Sequence, residues 1–213
     1  MAKKKAASLN FSKPIRWFWM CFLAAVFGVV LIFLSASLGL FGDMPDTSAL
    51  ENPRTNLATE IISSDGVTLG KFYYEDNRTP VAFNELPKHL VDALIATEDV
   101  RHYEHAGIDA RGTFRAIVKL GKGGGASTIS QQLAKQLFHG EGSRNKVGRI
   151  TQKIKEWVIA TRLERQYTKE EIIAQYFNIY DFGNNADGIR SASRIYFGKE
   201  PKDLSIDESA MLV

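Results

Sequence analysis

The hydrophobic pattern changes character along the chain. From Trp17 to Phe41 there is no polar face, and 25 residues pass without a charge. That exceeds the roughly 20 apolar residues a helix needs to cross a bilayer. Trp17 and Trp19 stand at one end, where interfacial aromatics belong. Lys3, Lys4, Lys5, Lys13 and Arg16 all precede the run, which places the N-terminus in the cytoplasm and everything after Asp43 outside. A cleaved signal peptide would also be apolar, with Ser35-Ala36-Ser37 as its small-residue site. Its core, however, is typically about 7–15 residues, and this run continues through Leu38 to Phe41. The pattern predicts a basic tail over 1–16, a transmembrane anchor over 17–41, a polar linker over 42–56 and a folded domain over 57–213.

Beyond the linker, Leu57–Ser63 and Val67–Tyr74 are strand-like runs around Asp65-Gly66, the signature of a type I′ hairpin. From Leu86 onward the period is helical. Pro87 suits a first helical position, and Leu90, Leu94 and Ile95 recur on one face. Thr128/Gln131, Thr168/Glu171 and Ser205/Glu208 have capping-box spacing, while Gly140 and Gly198 fit helix stops. The prediction is a mainly α domain of at least six helices with one small β-hairpin and no long-period repeat. The chain stops inside the helix begun at Ser205, so the domain is expected to continue past Val213.

Composition narrows the function classes. Hydrophobic residues are 45% and charged residues 24%, which excludes a disordered chain. The single cysteine, Cys21, excludes a disulfide framework and a multi-cysteine zinc site. Residues 1–42 carry five basic residues and no acid, leaving 22 basic and 24 acidic residues in the remainder. The folded part is therefore slightly acidic, and nothing in it argues for a nucleic-acid partner.

Three segments carry candidate chemistry. Glu98, Asp99, Arg101, His102, Glu104 and His105 crowd the end of the first domain helix. Paired acids there serve either as solvated or ion-paired groups or as an acid/base centre. His102 and His105, three apart with no cysteine nearby, are a weak metal pattern. Gly121-Lys-Gly-Gly-Gly125 feeds the helix starting at Ile129, and free N–H groups at such a terminus suit a phosphate. It is not a P-loop, because the lysine precedes the glycines. Thr128, Gln131/Gln132 and Lys135 stack hydroxyl, amide and ammonium donors at spacings of three and four. The alternative is a flexible loop before an ordinary cap. In the helix around Val147–Arg165, Val147, Ile150, Ile154, Trp157/Val158 and Thr161 form an apolar stripe. Arg149, Lys153, Glu156 and Ala160 run beside it, either lining a cleft or forming a surface charge ladder. Ser143-Arg-Asn-Lys146 has the S-x-x-K spacing of a serine nucleophile but lacks the companion S-x-N and K-T-G motifs, and Ser143 reads as a turn or cap.

Read together, these segments resemble the peptidoglycan glycosyltransferase family, the polymerase domain of class A penicillin-binding proteins and of monofunctional transglycosylases. The family's E-D-x-x-F-x-x-H-x-G is matched by Glu98-Asp99-Val-Arg-His102-Tyr-Glu-His105-Ala-Gly107. Its G-x-S-T-I-x-Q-Q-x-x-K is matched by Gly125-Ala-Ser127-Thr128-Ile-Ser-Gln131-Gln132-Leu-Ala-Lys135, and its R-K-x-x-E by Gln152-Lys153-Ile-Lys155-Glu156. Lys169-Glu-Glu-Ile172-Ile-Ala-Gln-Tyr176-Phe-Asn178 and Tyr196-Phe197-Gly198-Lys199 follow in order. The departures are His102 for phenylalanine, Gln152 for arginine, and Gly148 followed by Arg149 where arginine is expected.

The resemblance implies a lysozyme-like helical glycosyltransferase domain that polymerises lipid II into glycan strands on the outer face of the cytoplasmic membrane. Transfer inverts C1 of the donor and releases undecaprenyl pyrophosphate. It implies Glu98 as the base and Glu156 at the donor site, either ordering cations or holding a divalent metal, Mg2+ or Mn2+. Asp99, Ser127, Thr128, Gln131, Gln132, Lys135, Arg149, Lys153 and Asn178 are implied as substrate-binding. The segment Arg111–Lys119 is expected to dip into the membrane interface. Expected partners are lipid II, the growing strand, the membrane, a following transpeptidase domain and other cell-wall synthesis proteins. A muramidase or lytic enzyme of the same fold, or a non-catalytic cell-wall scaffold, is the alternative.

Overall fold

The structure, a computed structural model, describes residues 12–39, 59–72, 79–119, 125–138 and 145–213. The expected linker, the glycines at 121–124, Gly140 and Ser143 lie outside the described residues. The chain divides into two units, Met1–Met44 and Pro45–Val213.

In the first unit, α1 spans Ser12–Ser37, and its stretch Lys13–Ser35 is long and apolar enough to cross a membrane. The helix starts before the predicted Trp17, because Pro14 in its first turn has φ preset for a helix. It stops at Ser37 instead of running to Phe41, and Gly39 takes a left-handed φ of 76° just beyond.

The second unit opens with the predicted hairpin, β1 (Thr59–Ile62) paired antiparallel to β2 (Thr68–Phe72). The turn differs from the expected type I′, which needs positive φ at both central residues. Here Gly66 N–H closes on Ser63 O at 3.0 Å, and of Ser64, Asp65 and Gly66 only Gly66 has positive φ. The loop therefore has three residues, with the glycine in the left-handed position. Pairing steps from Ile61↔Gly70 to Ile62↔Thr68, leaving Leu69 as a bulge.

Helices make up the rest: α2 (Lys88–Glu98), α3 (Ala110–Val118), α4 (Ile129–Phe138), α5 (Lys146–Gln166), α6 (Lys169–Ile179), α7 (Ile189–Phe197) and α8 (Ile206–Leu212). Pro87 is the N-cap of α2, one position earlier than predicted, in extended conformation. Two capping boxes form as expected. Thr168 Oγ1 accepts from Glu171 N–H while Glu171 Oε2 accepts from Thr168 N–H, and Ser205 and Glu208 repeat the pattern. Gly198 ends α7 in the left-handed region.

Helix α4 is the axis of the core. It packs on both α5 and α6 and buries Ile129, Leu133 and Ala134 completely. Ile159 and Leu163 of α5, Ile172, Ile173 and Phe177 of α6, and Leu90 and Leu94 of α2 close around it. Each such side chain contributes about 1.5–3 kcal/mol on burial.

Candidate active site

The inward face of α5 only partly follows the predicted stripe. Val158 of that stripe is buried, but so are Glu156, Ile159, Ala160 and Leu163, whereas Ile150 is 64% exposed. The flank that carried Lys153 and Glu156 is the inner one. Toward its C-terminal end it packs on the core. Toward its N-terminal end it walls a cleft of about 610 Å3. Glu98, Ser127, Gln132, Lys135, Lys153, Glu156 and Tyr180 are among the lining residues.

Two carboxylates line this cleft in different settings. Glu98 is the last residue of α2, and its Oε2 accepts from Gln132 Nε2 at 2.5 Å. Tyr176 Oη donates to Gln132 Oε1 at 3.3 Å, so the amide is oriented from both ends. Burial raises the Tyr176 pKa, with Tyr180 and Glu98 adding to it, and the phenol stays a neutral donor. Glu156 is 5% exposed and cation-paired: Lys153 Nζ lies 3.2 Å from Oε2, and Gln152 Nε2 donates to Oε1 at 3.2 Å. Lys153 also donates to Ser127 Oγ at 2.8 Å. The cleft thus presents a carboxylate held by an amide, Glu98, and a second, cation-paired one, Glu156, with ammonium and hydroxyl groups beside it.

The transglycosylase family model matches residues 65–213. Penicillin-binding protein 1A of Pseudomonas aeruginosa is 35% identical over 202 residues, covering 93% of this chain and 24% of its own length. Penicillin-binding protein 1F of Bacillus subtilis is 43% identical over 159 residues, 73% of this chain and 21% of its own. Penicillin-binding protein 1A of Escherichia coli is 39% identical over 173 residues, 79% of this chain and 20% of its own. This chain belongs to the transglycosylase family. It spans at most about a quarter of the length of these curated relatives.

Within the transglycosylase domain, several predicted site residues are scaffold. Thr128 is 1% exposed; its Oγ1 donates to Gly107 O at 2.8 Å and accepts from Gln131 N–H at 3.2 Å. Gln131 sends Nε2 to the same Gly107 O at 3.0 Å, so the predicted capping box forms only by half. The expected donor face of α4 therefore splits. Gln131, Gln132 and Lys135 line the cleft, while Thr128 Oγ1 and Gln131 Nε2 hold the Gly107 carbonyl. Asn178 is paired both ways with one backbone unit: Val81 N–H donates to Oδ1 at 2.8 Å and Nδ2 donates to Val81 O at 2.9 Å. It fastens the segment before α2 to α6 and has no polar atom left over for a substrate at these sites. Arg149 is solvent-exposed on the first turn of α5 and is not among the cleft-lining residues.

Asp99 also turns inward and is 6% exposed. Its oxygens lie 3.0 Å from His105 Nε2, and Oδ2 accepts from Ile129 N–H at 3.2 Å. Burial would raise its pKa, but His102, His105 and the Ile129 N–H outweigh that and hold it well below the usual carboxylate range. Asp99 is therefore an anionic pin between the end of α2 and the start of α4, next to Glu98. A second pin comes from Lys169 Nζ, which donates to His105 O at 2.6 Å and pairs with Glu164 at 2.7 Å.

Tyr176 and Tyr180 were not singled out as site residues from the sequence. The signal for them was their placement one turn apart at the end of α6, next to the motif's Asn178. Gly107 is required at its position for packing reasons. A Cβ there would fall 2.9 Å from the Ala160 carbonyl, and its φ of +87° is itself unfavourable for other residues.

Proposed function

We propose that this transglycosylase domain polymerises lipid II, with Glu98 as the general base. The observation that carries the reading is the pairing of groups in one cleft. An oriented carboxylate, Glu98, held by Gln132, and the donors Lys153, Ser127 and Lys135 line the same cavity. A sugar hydroxyl is a weak nucleophile and needs a base within hydrogen-bond reach. A departing pyrophosphate needs fixed cationic donors. In the proposed step the acceptor 4-hydroxyl attacks donor C1 and its proton passes to Glu98. The C1–oxygen bond breaks on the opposite face, and undecaprenyl pyrophosphate leaves toward Lys153 and Lys135. Gln132 and Tyr176 keep the base aimed. Glu156 holds Lys153 in place and is a positioning residue in this reading.

Both oxygens of Glu156 already face Lys153 Nζ and Gln152 Nε2, so a Mg2+ or Mn2+ held there would displace Lys153 and take its remaining oxygens from water and substrate phosphate. In this reading the cations of the wall supply the charge.

The membrane part of the proposal rests on α1. Five basic residues, Lys3, Lys4, Lys5, Lys13 and Arg16, precede the uncharged stretch of α1, which supports a cytoplasmic N-terminus and a domain on the outer face of the membrane. Phe114 and Val118 of α3 are 70% and 64% exposed, and in this reading they face the lipid surface.

The decisive experiment is Glu98→Gln, assayed for glycan polymer from purified lipid II. General-base catalysis contributes about 10²–10⁴-fold, so polymer formation should fall by at least about 100-fold with the circular dichroism spectrum unchanged. A variant within about tenfold of wild type would remove Glu98 from the base role.

A further inference from the structure

We infer that Asp99, His102 and His105 form a zinc site buried behind the catalytic wall. The ligating atoms of the three side chains lie within 4.8 Å of one another. Asp99 Oδ2 is 3.0 Å from His105 Nε2 and 3.5 Å from His102 Nδ1. A tetrahedral ion with bonds of about 2.0–2.2 Å separates its ligand atoms by about 3.3 Å. The three atoms therefore surround a point from which all can bind after small side-chain shifts.

The second observation is the state of His102. Its side chain is fully buried, yet Nε2 has no hydrogen-bond partner and Nδ1 has only the long 3.5 Å approach to Asp99 Oδ2. A buried polar group without a partner costs about 1–3 kcal/mol. A phenylalanine would fill the same volume without that cost. The imidazole instead turns Nδ1 toward the Asp99 carboxylate, and a cation there satisfies that nitrogen. Mixed imidazole and carboxylate donors suit a borderline ion such as Zn2+ better than the oxygen-seeking Mg2+. The ion would lock the turn at His102–Glu104 to the start of α4 through Asp99 and its Ile129 N–H bond.

This site is independent of the transfer reaction, and its test needs no lipid II. The full chain, tag-free in detergent and stripped with a chelator, is titrated with ZnCl2 and separately with CoCl2. About one zinc per chain should survive gel filtration and raise the melting temperature, and Co2+ should give the intense visible bands of a four-coordinate ion. His102→Phe should weaken binding by about 100-fold or more while remaining folded. His105→Gln serves as a second variant should the first not fold. Glu98→Gln should bind zinc like wild type, which separates this claim from the assignment of the base. The inference is overturned if the wild-type chain retains no zinc, if Co2+ shows only weak octahedral bands, or if His102→Phe binds as well as wild type. Zinc held at His89 or His139 would produce that last result.

Discussion

Gly107 shows how much of the site is held by single contacts. Its carbonyl receives Thr128 Oγ1 and Gln131 Nε2, and its α-carbon lies against the Ala160 backbone at positive φ. Gly107→Ala should cost about 1–3 kcal/mol for backbone strain alone, and more for the contact with α5. A thermal melt within error of wild type would refute the packing account. The cleft cations permit a sharper comparison. Hydrogen bonds from charged donors contribute about 1.5–3 kcal/mol, or about 10–100-fold in affinity. Lys135→Ala should therefore weaken binding of a pyrophosphate-containing donor analogue by about that factor, measured by calorimetry. Arg149→Ala, off the cleft wall, should change it far less. Equal losses for the two would mean that the wall extends to the first turn of α5.

At the scale of elements, the boundaries were more legible in the sequence than the faces. The capping boxes at Thr168 and Ser205 and the stop at Gly198 depend on local chemistry, and the structure has them where the residues put them. The face of α5 depends on its neighbours. Its N-terminal half borders a cleft instead of a helix, so Ile150 stays exposed while Glu156 goes in. Periodicity alone could not distinguish a wet wall from a dry one. For the same reason Thr128 looked like a ligand donor: its partner, the Gly107 carbonyl, is 21 residues away. Asn178 stood in a motif without a spacing that could reveal its pairing with Val81, 97 residues distant. The start of α3 gives a prediction at this scale. The Arg101 guanidinium bonded to Asp109 holds that carboxyl below its usual range, against a smaller opposing effect of burial. A depressed carboxyl stabilises the fold fully above its unfolded value, about 3.9, and loses that contribution as pH falls through the folded value. The stability gap between wild type and Asp109→Asn should be constant from about pH 6 to 8 and shrink below about pH 4. A gap equally large at acid and neutral pH, read from urea unfolding, would rule out the ion pair as its source.

On the scale of the whole molecule, the described residues join one apolar helix to a helical domain whose cleft, in the proposed function, takes a lipid-linked sugar. These are separate units, Met1–Met44 and Pro45–Val213, and the described core lies entirely in the second. Deleting residues 1–42 should therefore leave a folded domain with an unchanged thermal transition. Its effect on activity should depend on the medium. In liposomes α1 confines enzyme and long-chain lipid II to one thin layer, which raises their effective concentration without any new contact. With a short-chain analogue dissolved in detergent, substrate is no longer concentrated in that layer, and the advantage shrinks. The ratio of full-length to truncated rates should consequently be much larger in liposomes than in detergent, measured with the same two preparations. Exposed Phe114 and Val118 of α3 supply a weaker second attachment in this reading. Replacing both with serine in the truncated domain should then lower its residual liposome rate while leaving its detergent rate intact. Equal rate ratios in the two media would show that α1 does not act by co-localisation, and an unchanged liposome rate in the serine variant would remove α3 from the membrane surface.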